Sequence, residues 1–135
     1  MPLITITQNF GSNGLAIARK VAEGLGCELF DDQKLHELVR QKGISAQEIS
    51  HLDEKSPGFW NLFFKSRPQI YLNVLEAVVY EVAQRGEGVI IGHGGQLLLR
   101  DFDCAFHVRI LTPEGRRADR LADEQGIGRE AALKL

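Results

Sequence analysis

The chain has little cysteine, and what it has is not paired by spacing. Cys27 and Cys104 are the two cysteines in 135 residues, and they make no C-x-x-C. That excludes a disulfide framework and suits a reducing compartment. Long apolar runs are missing as well. No stretch approaches the ~20 residues that a membrane-spanning helix needs, and no basic segment followed by an apolar run marks a secretion signal. Charge of one sign is also scarce: 16 Lys and Arg against 18 Asp and Glu leave a net charge of −2. A chain so nearly neutral has no electrostatic case for gripping a nucleic-acid backbone. His36, His51 and His107 share no metal-ligand spacing, so they read as surface or half-buried residues and no metal site is expected. Internal repeats and low-complexity tracts are absent. These absences leave one soluble domain, cytoplasmic by default. Its 44% hydrophobic and 25% charged content is that of an ordinary globular core with a solvated surface.

Glycine is plentiful, and its placement carries the first positive signal. Leu3-Ile-Thr-Ile-Thr reads as a β-branched strand, followed by Gln8-Asn9-Phe10-Gly11-Ser12-Asn13-Gly14 and then a helical pattern to Leu25. A strand, a glycine-rich turn and a helix in that order aim backbone N–H groups and the positive helix end at one spot, where an anion is stabilised without any side chain. The phosphate-binding pattern G-x-x-x-x-G-K-[ST] is only half kept. Gly14 fits its second glycine, but Asn9 stands at the first, Leu15 at the lysine and Ala16 at the hydroxyl. A plain strand-to-helix turn that uses glycine for positive φ is the competing reading. Leu15 also continues the stripe Ala18, Ala22 and Leu25, which gives it a core-packing explanation.

The remaining elements alternate. Glu28–Phe30 is a short strand. Asp31 or Asp32 caps a helix to about Gln41, and Gly43 stops it. Ser45 with Glu48 forms a capping box for a short helix, 46–51. Residues 52–67 are less regular and carry the aromatic cluster Phe59, Trp60, Phe63 and Phe64, which reads more readily as packing than as a base pocket. Pro68 opens a long amphipathic helix with Tyr71, Val74, Leu75, Val78 and Val82 on one stripe, closed by Gly86. Val89–Ile91 is an apolar strand ending in Gly92-His93-Gly94-Gly95, with a short helix through Leu97–Leu99 behind it. Ala105–Leu111 is a last strand. Thr112-Pro113-Glu114 starts a helix to about Gln125, with threonine as cap and proline at the first helical position. Apolar strands alternating with helices point to a parallel sheet covered on both faces. Right-handed crossovers then predict a sheet order in which the strand at 28–30 is followed by those at 88–92, 3–7 and 105–111, the last forming an edge. The segment 128–135 begins a helix that nothing caps, as expected of a C-terminally incomplete chain.

Taken together, residues 4–26, Phe30-Asp31 with the following helix, Leu52-Asp53-Glu54-Lys55, Val89 through Asp101 and Val108 to Arg120 resemble the cytidylate kinase-like branch of the P-loop nucleoside monophosphate kinases. The resemblance spans nearly the whole chain in the right order. It implies a three-layer α/β fold, with residues 1–135 as a single domain that lacks its last strand. It also implies transfer of the terminal phosphoryl group of ATP, with Mg²⁺, to a nucleoside monophosphate of CMP type. The implied phosphate loop is Asn9, Gly11, Ser12, Asn13, Gly14, Leu15 and Ala16. The implied acceptor region is about 31–85, with Asp31 and His93 as contacts. The implied lid begins at about 116 and runs to 135, with Arg116 and Arg120 acting on phosphates.

Three departures weaken the chemistry more than the binding. Leu15 replaces a usual basic residue, His93 a usual arginine, and Thr7-Gln8 a usual serine-arginine. Each removes a cation from phosphate, and phosphoryl transfer depends on positioning and charge. A catalytically degenerate module that holds a nucleotide or a partner protein is therefore the alternative. Bland readings stay open beside the functional ones. Asp31 and Asp32 serve equally as helix caps, His93 as a turn residue, and Arg116, Arg117 and Arg120 as a solvated face paired with Asp119, Asp123 and Glu124.

Overall fold

A computed structural model describes residues 2–42 and 69–135, the side chains of residues 69–71 excepted. Its sheet is built from β1 (Leu3–Gln8), β2 (Leu29–Phe30), β3 (Gly88–Ile91) and β4 (Ala105–Ile110). The order is β2-β3-β1-β4 and every pairing is parallel, as the alternation predicts. Register runs Ile4 beside Val89 and Ile6 beside Ile91 on one side, and Thr5 beside His107 and Thr7 beside Arg109 on the other. The helices of the described residues are α1 (Gly14–Leu25), α2 (Asp32–Gln41), α3 (Gln69–Gln84), α4 (Gly95–Leu98), α5 (Glu114–Gln125) and α6 (Arg129–Ala132). The capping-box helix at 46–51, the aromatic cluster at 59–64, Leu52–Lys55, Gly43, His51 and Pro68 lie outside the described residues.

Side chains alternate across the pleat, so each face of the sheet carries its own core. On one face Leu3, Phe30 and Ile90 pack with Leu35 and Val39 of α2, Val78, Val79 and Val82 of α3, and Leu99. On the other, Ile4, Ile6, Val89 and Ile91 pack on Ala18 and Ala22 of α1. Small residues on α1 let its backbone lie close to the strands. A third, smaller cluster joins α5 to α6 through Ala118, Leu121 and Ala132.

Several expectations are corrected. Leu15 and Leu25 are 37% and 42% exposed, so they do not belong to the buried stripe of α1. The buried positions are Gly14, Ala18 and Ala22, spaced by four, and Leu15 sits one residue round from that line. His36 is buried rather than superficial. Pro113 is the cap residue of α5, with no side-chain cap bond, and Glu114 is its first helical residue. The extended ψ of Pro113 keeps it outside the helix, so Thr112 is not the cap.

Candidate functional site

The loop between β1 and α1 is shaped by its own backbone. The Ser12 N–H and Ser12 Oγ both donate to the Asn9 carbonyl, at 3.1 and 2.6 Å. Asn9 in turn donates its N–H to the Ile110 carbonyl, which anchors the turn to the end of β4. Gly11 has φ +77° and Asn13 φ +59°, the left-handed conformations that turn the chain into α1. Space at Gly11 is tight as well: a Cβ there would lie 3.2 Å from Leu121 of α5. The loop therefore faces α5 at close range.

Two arginines of α5 close that contact. Arg117 Nη1 donates to the Phe10 carbonyl at 3.3 Å, and Arg120 Nη1 to the Gly11 carbonyl at 3.1 Å. Arg116 is exposed. Of the arginines on the arc read from the sequence, Arg117 and Arg120 reach the loop, and they bind its carbonyls.

The loop also holds a contact that sequence reading did not find. The Gln8 Oε1 atom accepts the Gly14 N–H at 2.5 Å and lies 3.3 Å from Ser12 Oγ. Gly14 begins α1, so its N–H is among those with no intrahelical acceptor. The last residue of β1 thus folds back and fills that position. Gly14 makes this possible, because a Cβ there would overlap the Gln8 side chain. The signal available in the sequence was a long amide side chain at the strand end, six residues before a helix-opening glycine.

The second part of the site sits at the carboxyl ends of β2 and β3. Asp31 is the N-cap of α2, its carboxylate accepting the Lys34 N–H at 3.0 Å. Asp32 instead pairs with His93 Nε2. The His93 side chain is 1% exposed and its backbone has φ +54°, uncommon for a residue with a Cβ. Its ring meets that of His36 edge-on, with centroids 5.7 Å apart. Asp31 and Asp32, equivalent in the sequence, are separated by the fold into a cap and a histidine partner. β1 and β3 are neighbours, so this cluster and the loop lie at one end of the sheet, where open α/β sheets bind ligands. A cleft of about 400 Å³ on the β4 side is lined by Gln8, Asn9, Gln96, His107 and Arg109.

A parallel sheet with helices on both faces and a strand–turn–helix loop at its carboxyl edge defines the P-loop kinase fold. The chain belongs to the cytidylate kinase-like family, whose model matches residues 3–135. Solved structures agree on the fold. An uncharacterized protein from Eubacterium ventriosum ATCC 27560 is 21% identical with a TM-score of 0.71, over 98% of this chain and 70% of that one. Shikimate kinase from Acinetobacter baumannii, in complex with shikimate, is 20% identical with a TM-score of 0.53, over 99% of this chain and 73% of that one. No curated protein matches the chain. No helix among the described residues is long and apolar enough to cross a membrane.

The family implies ATP and Mg²⁺, and the residues present fit these two unequally. The loop fits a phosphate group only where Gln8 gives way, because the donor at the positive end of its twelve-residue helix is the Gly14 amide and Gln8 Oε1 holds it here. It does not fit a magnesium-bound triphosphate. Ala16 offers no hydroxyl, Leu15 offers no charge, and the Ser12 hydroxyl is committed to the Asn9 carbonyl. Among the described residues no three His, Cys, Asp or Glu side chains gather as a metal site.

The docking of α5 on the loop is directly testable. Arg120→Ala should cost about 1 kcal/mol in urea denaturation and speed amide exchange in residues 10–12, because a half-buried carbonyl contact is lost. A solvated-face role predicts a change within about 0.5 kcal/mol.

Proposed function

We propose that this protein is a nucleotide-binding module of the nucleoside monophosphate kinase type, with an acceptor region at about 31–85 suited to a CMP-type nucleotide and with little phosphoryl transfer. The observation that carries the reading is the loop itself. Its strand–turn–helix course supports a phosphate cradle, while the cationic side chain and metal-binding hydroxyl of such a loop are missing, and Gln8 takes the Gly14 amide. Backbone donors suffice to hold a phosphate. Acceleration of transfer needs charge placed where it develops in the transition state. Asn9, Gly11, Ser12, Asn13, Gly14, Leu15 and Ala16 form the phosphate side in this reading. Asp31 and His93 belong to the acceptor side, and Arg116 and Arg120 to the start of the lid.

The reading predicts weak nucleotide affinity that depends little on Mg²⁺. Calorimetry of ADP and ATP binding should give dissociation constants that change less than about threefold when EDTA replaces Mg²⁺, since no hydroxyl or carboxylate of the loop engages the metal. Tight ATP binding that collapses on adding EDTA would sink the reading. A coupled assay with CMP, UMP and AMP should show turnover well below the 1–100 s⁻¹ of working kinases.

A further inference from the structure

We infer that Gln8 is a built-in competitor for the phosphate loop: its amide oxygen holds the Gly14 N–H until a multiply charged phosphate displaces it. The inference rests on the reading of this loop as a phosphate cradle and adds the step by which a ligand gains entry.

The geometry supplies each part of the device. Gly14 N–H is at the positive end of α1, where an acceptor is favoured. Gln8 Oε1 meets it at 2.5 Å, a short contact for a neutral amide pair. Ser12 Oγ, the other donor within reach, lies 3.3 Å from that oxygen and gives its proton to the Asn9 carbonyl at 2.6 Å. Gln8 therefore depends mainly on a single hydrogen bond. Gln8 is exposed, so it can swing out without opening the core. Position 14 has no side chain to block it, and a Cβ there would overlap the amide.

The exchange discriminates by charge. A phosphate oxygen makes a charge-assisted bond to N–H that is roughly twice as strong as a neutral one. A ligand carrying one weak charge gains little over the resident amide, and a phosphate gains enough to evict it. Gln8 would thus set the affinity threshold of a loop that has no lysine to enforce selectivity.

The test uses the full chain, with inorganic pyrophosphate and ADP as probes in calorimetry and the Gly14 amide signal followed by NMR. Gln8→Ala should bind pyrophosphate about 2- to 12-fold more tightly than wild type, the factor equivalent to one net hydrogen bond. Gln8→Glu should bind it about fivefold or more weakly, because a carboxylate is a stronger plug and repels the anion. Pyrophosphate should shift the Gly14 amide in wild type and in Gln8→Ala. Opposite effects of the two substitutions distinguish a competitor from a residue that only shapes the loop, since that role would weaken binding in both. Equal pyrophosphate affinity in wild type and Gln8→Ala, weaker affinity in Gln8→Ala, or no pyrophosphate binding by either protein overturns the inference. Tighter pyrophosphate binding by Gln8→Ala without any ADP binding upholds the plug and overturns the nucleotide reading instead.

Discussion

Phe30→Ala should lower stability by about 3–5 kcal/mol, the usual cost of emptying a fully buried aromatic site. The corresponding fall in melting temperature is roughly 10–20 °C for a chain of this size. Phe30 is 1% exposed and is the largest fully buried side chain among the described residues. It ends the two-residue strand β2, which touches the sheet through β3 alone. Its ring lies over Gly88, where a Cβ would be 2.8 Å away, so it is fitted against bare backbone. Phe30 shares one buried cluster with Leu35 and Val39 of α2 and Val78 and Val82 of α3. A short strand with little pairing of its own is held by that packing, so the cavity cannot close cheaply. The site should suffer too. Asp31 and Asp32 follow Phe30 directly, and their placement as cap and as His93 partner depends on where β2 ends. Thermal denaturation with near-UV circular dichroism checks the first effect. A loss below about 1.5 kcal/mol would show that the β2 edge re-packs and that this core is looser than its burial indicates.

The fold was legible because its signals are local and repeated. β3 is apolar throughout and β1 is buried from Leu3 to Ile6 on a β-branched run, as suits strands covered on both faces, and Gly26, Gly86 and Gly126 punctuate the helices where their pattern ends. The βα alternation and the hand of crossovers then fix which strands are neighbours. Burial on α1 was less legible. Leu15 and Leu25 fit a helical period with Ala18 and Ala22, yet period alone does not say which edge of the stripe meets the sheet. The strands approach the small residues, and the two leucines are left outside. The site was legible as a segment and not as contacts. Gln8 on Gly14, Arg117 on Phe10 and Asp32 on His93 each join residues whose meeting depends on side-chain direction after the chain has folded. Asp31 and Asp32 show the limit well. They are adjacent and chemically identical, and only the ψ of the first, extended before the helix begins, makes it the cap and aims the second elsewhere.

Restoring single cations should not make this loop a kinase, and restoring all three together should raise phosphoryl transfer by about 10²-fold or more. The relevant positions are Gln8, Leu15 and His93. Leu15→Lys should be nearly free in stability, within about 0.5 kcal/mol, because Leu15 is exposed and its replacement buries no charge. In activity it should stay within about tenfold of wild type, since Gln8 still holds the Gly14 amide and His93 still faces Asp32. His93→Arg is costlier. The histidine side chain is almost fully enclosed, and a longer guanidinium must re-pack against His36 while Asp32 offers it a carboxylate. Alone it should yield an arginine captured by Asp32 and no gain in transfer. Gln8→Arg removes the plug and brings a cation to the loop in one change. Groups that stabilise one transition state act as a unit, so their effects are strongly non-additive and the gain should come late in the series. Phosphoryl transfer to CMP, UMP and AMP, measured by a coupled assay in wild type, each single variant, Leu15→Lys with His93→Arg, and the triple variant, follows that series. Wild-type turnover of about 1 s⁻¹ or above would refute the degenerate-loop reading outright. A tenfold or greater gain from Leu15→Lys, well beyond the other single variants, would identify the missing lysine charge as the single defect. Inactivity of a folded triple variant would assign the protein to nucleotide binding alone, with a loop whose backbone geometry serves recognition and whose chemistry no added cation can supply.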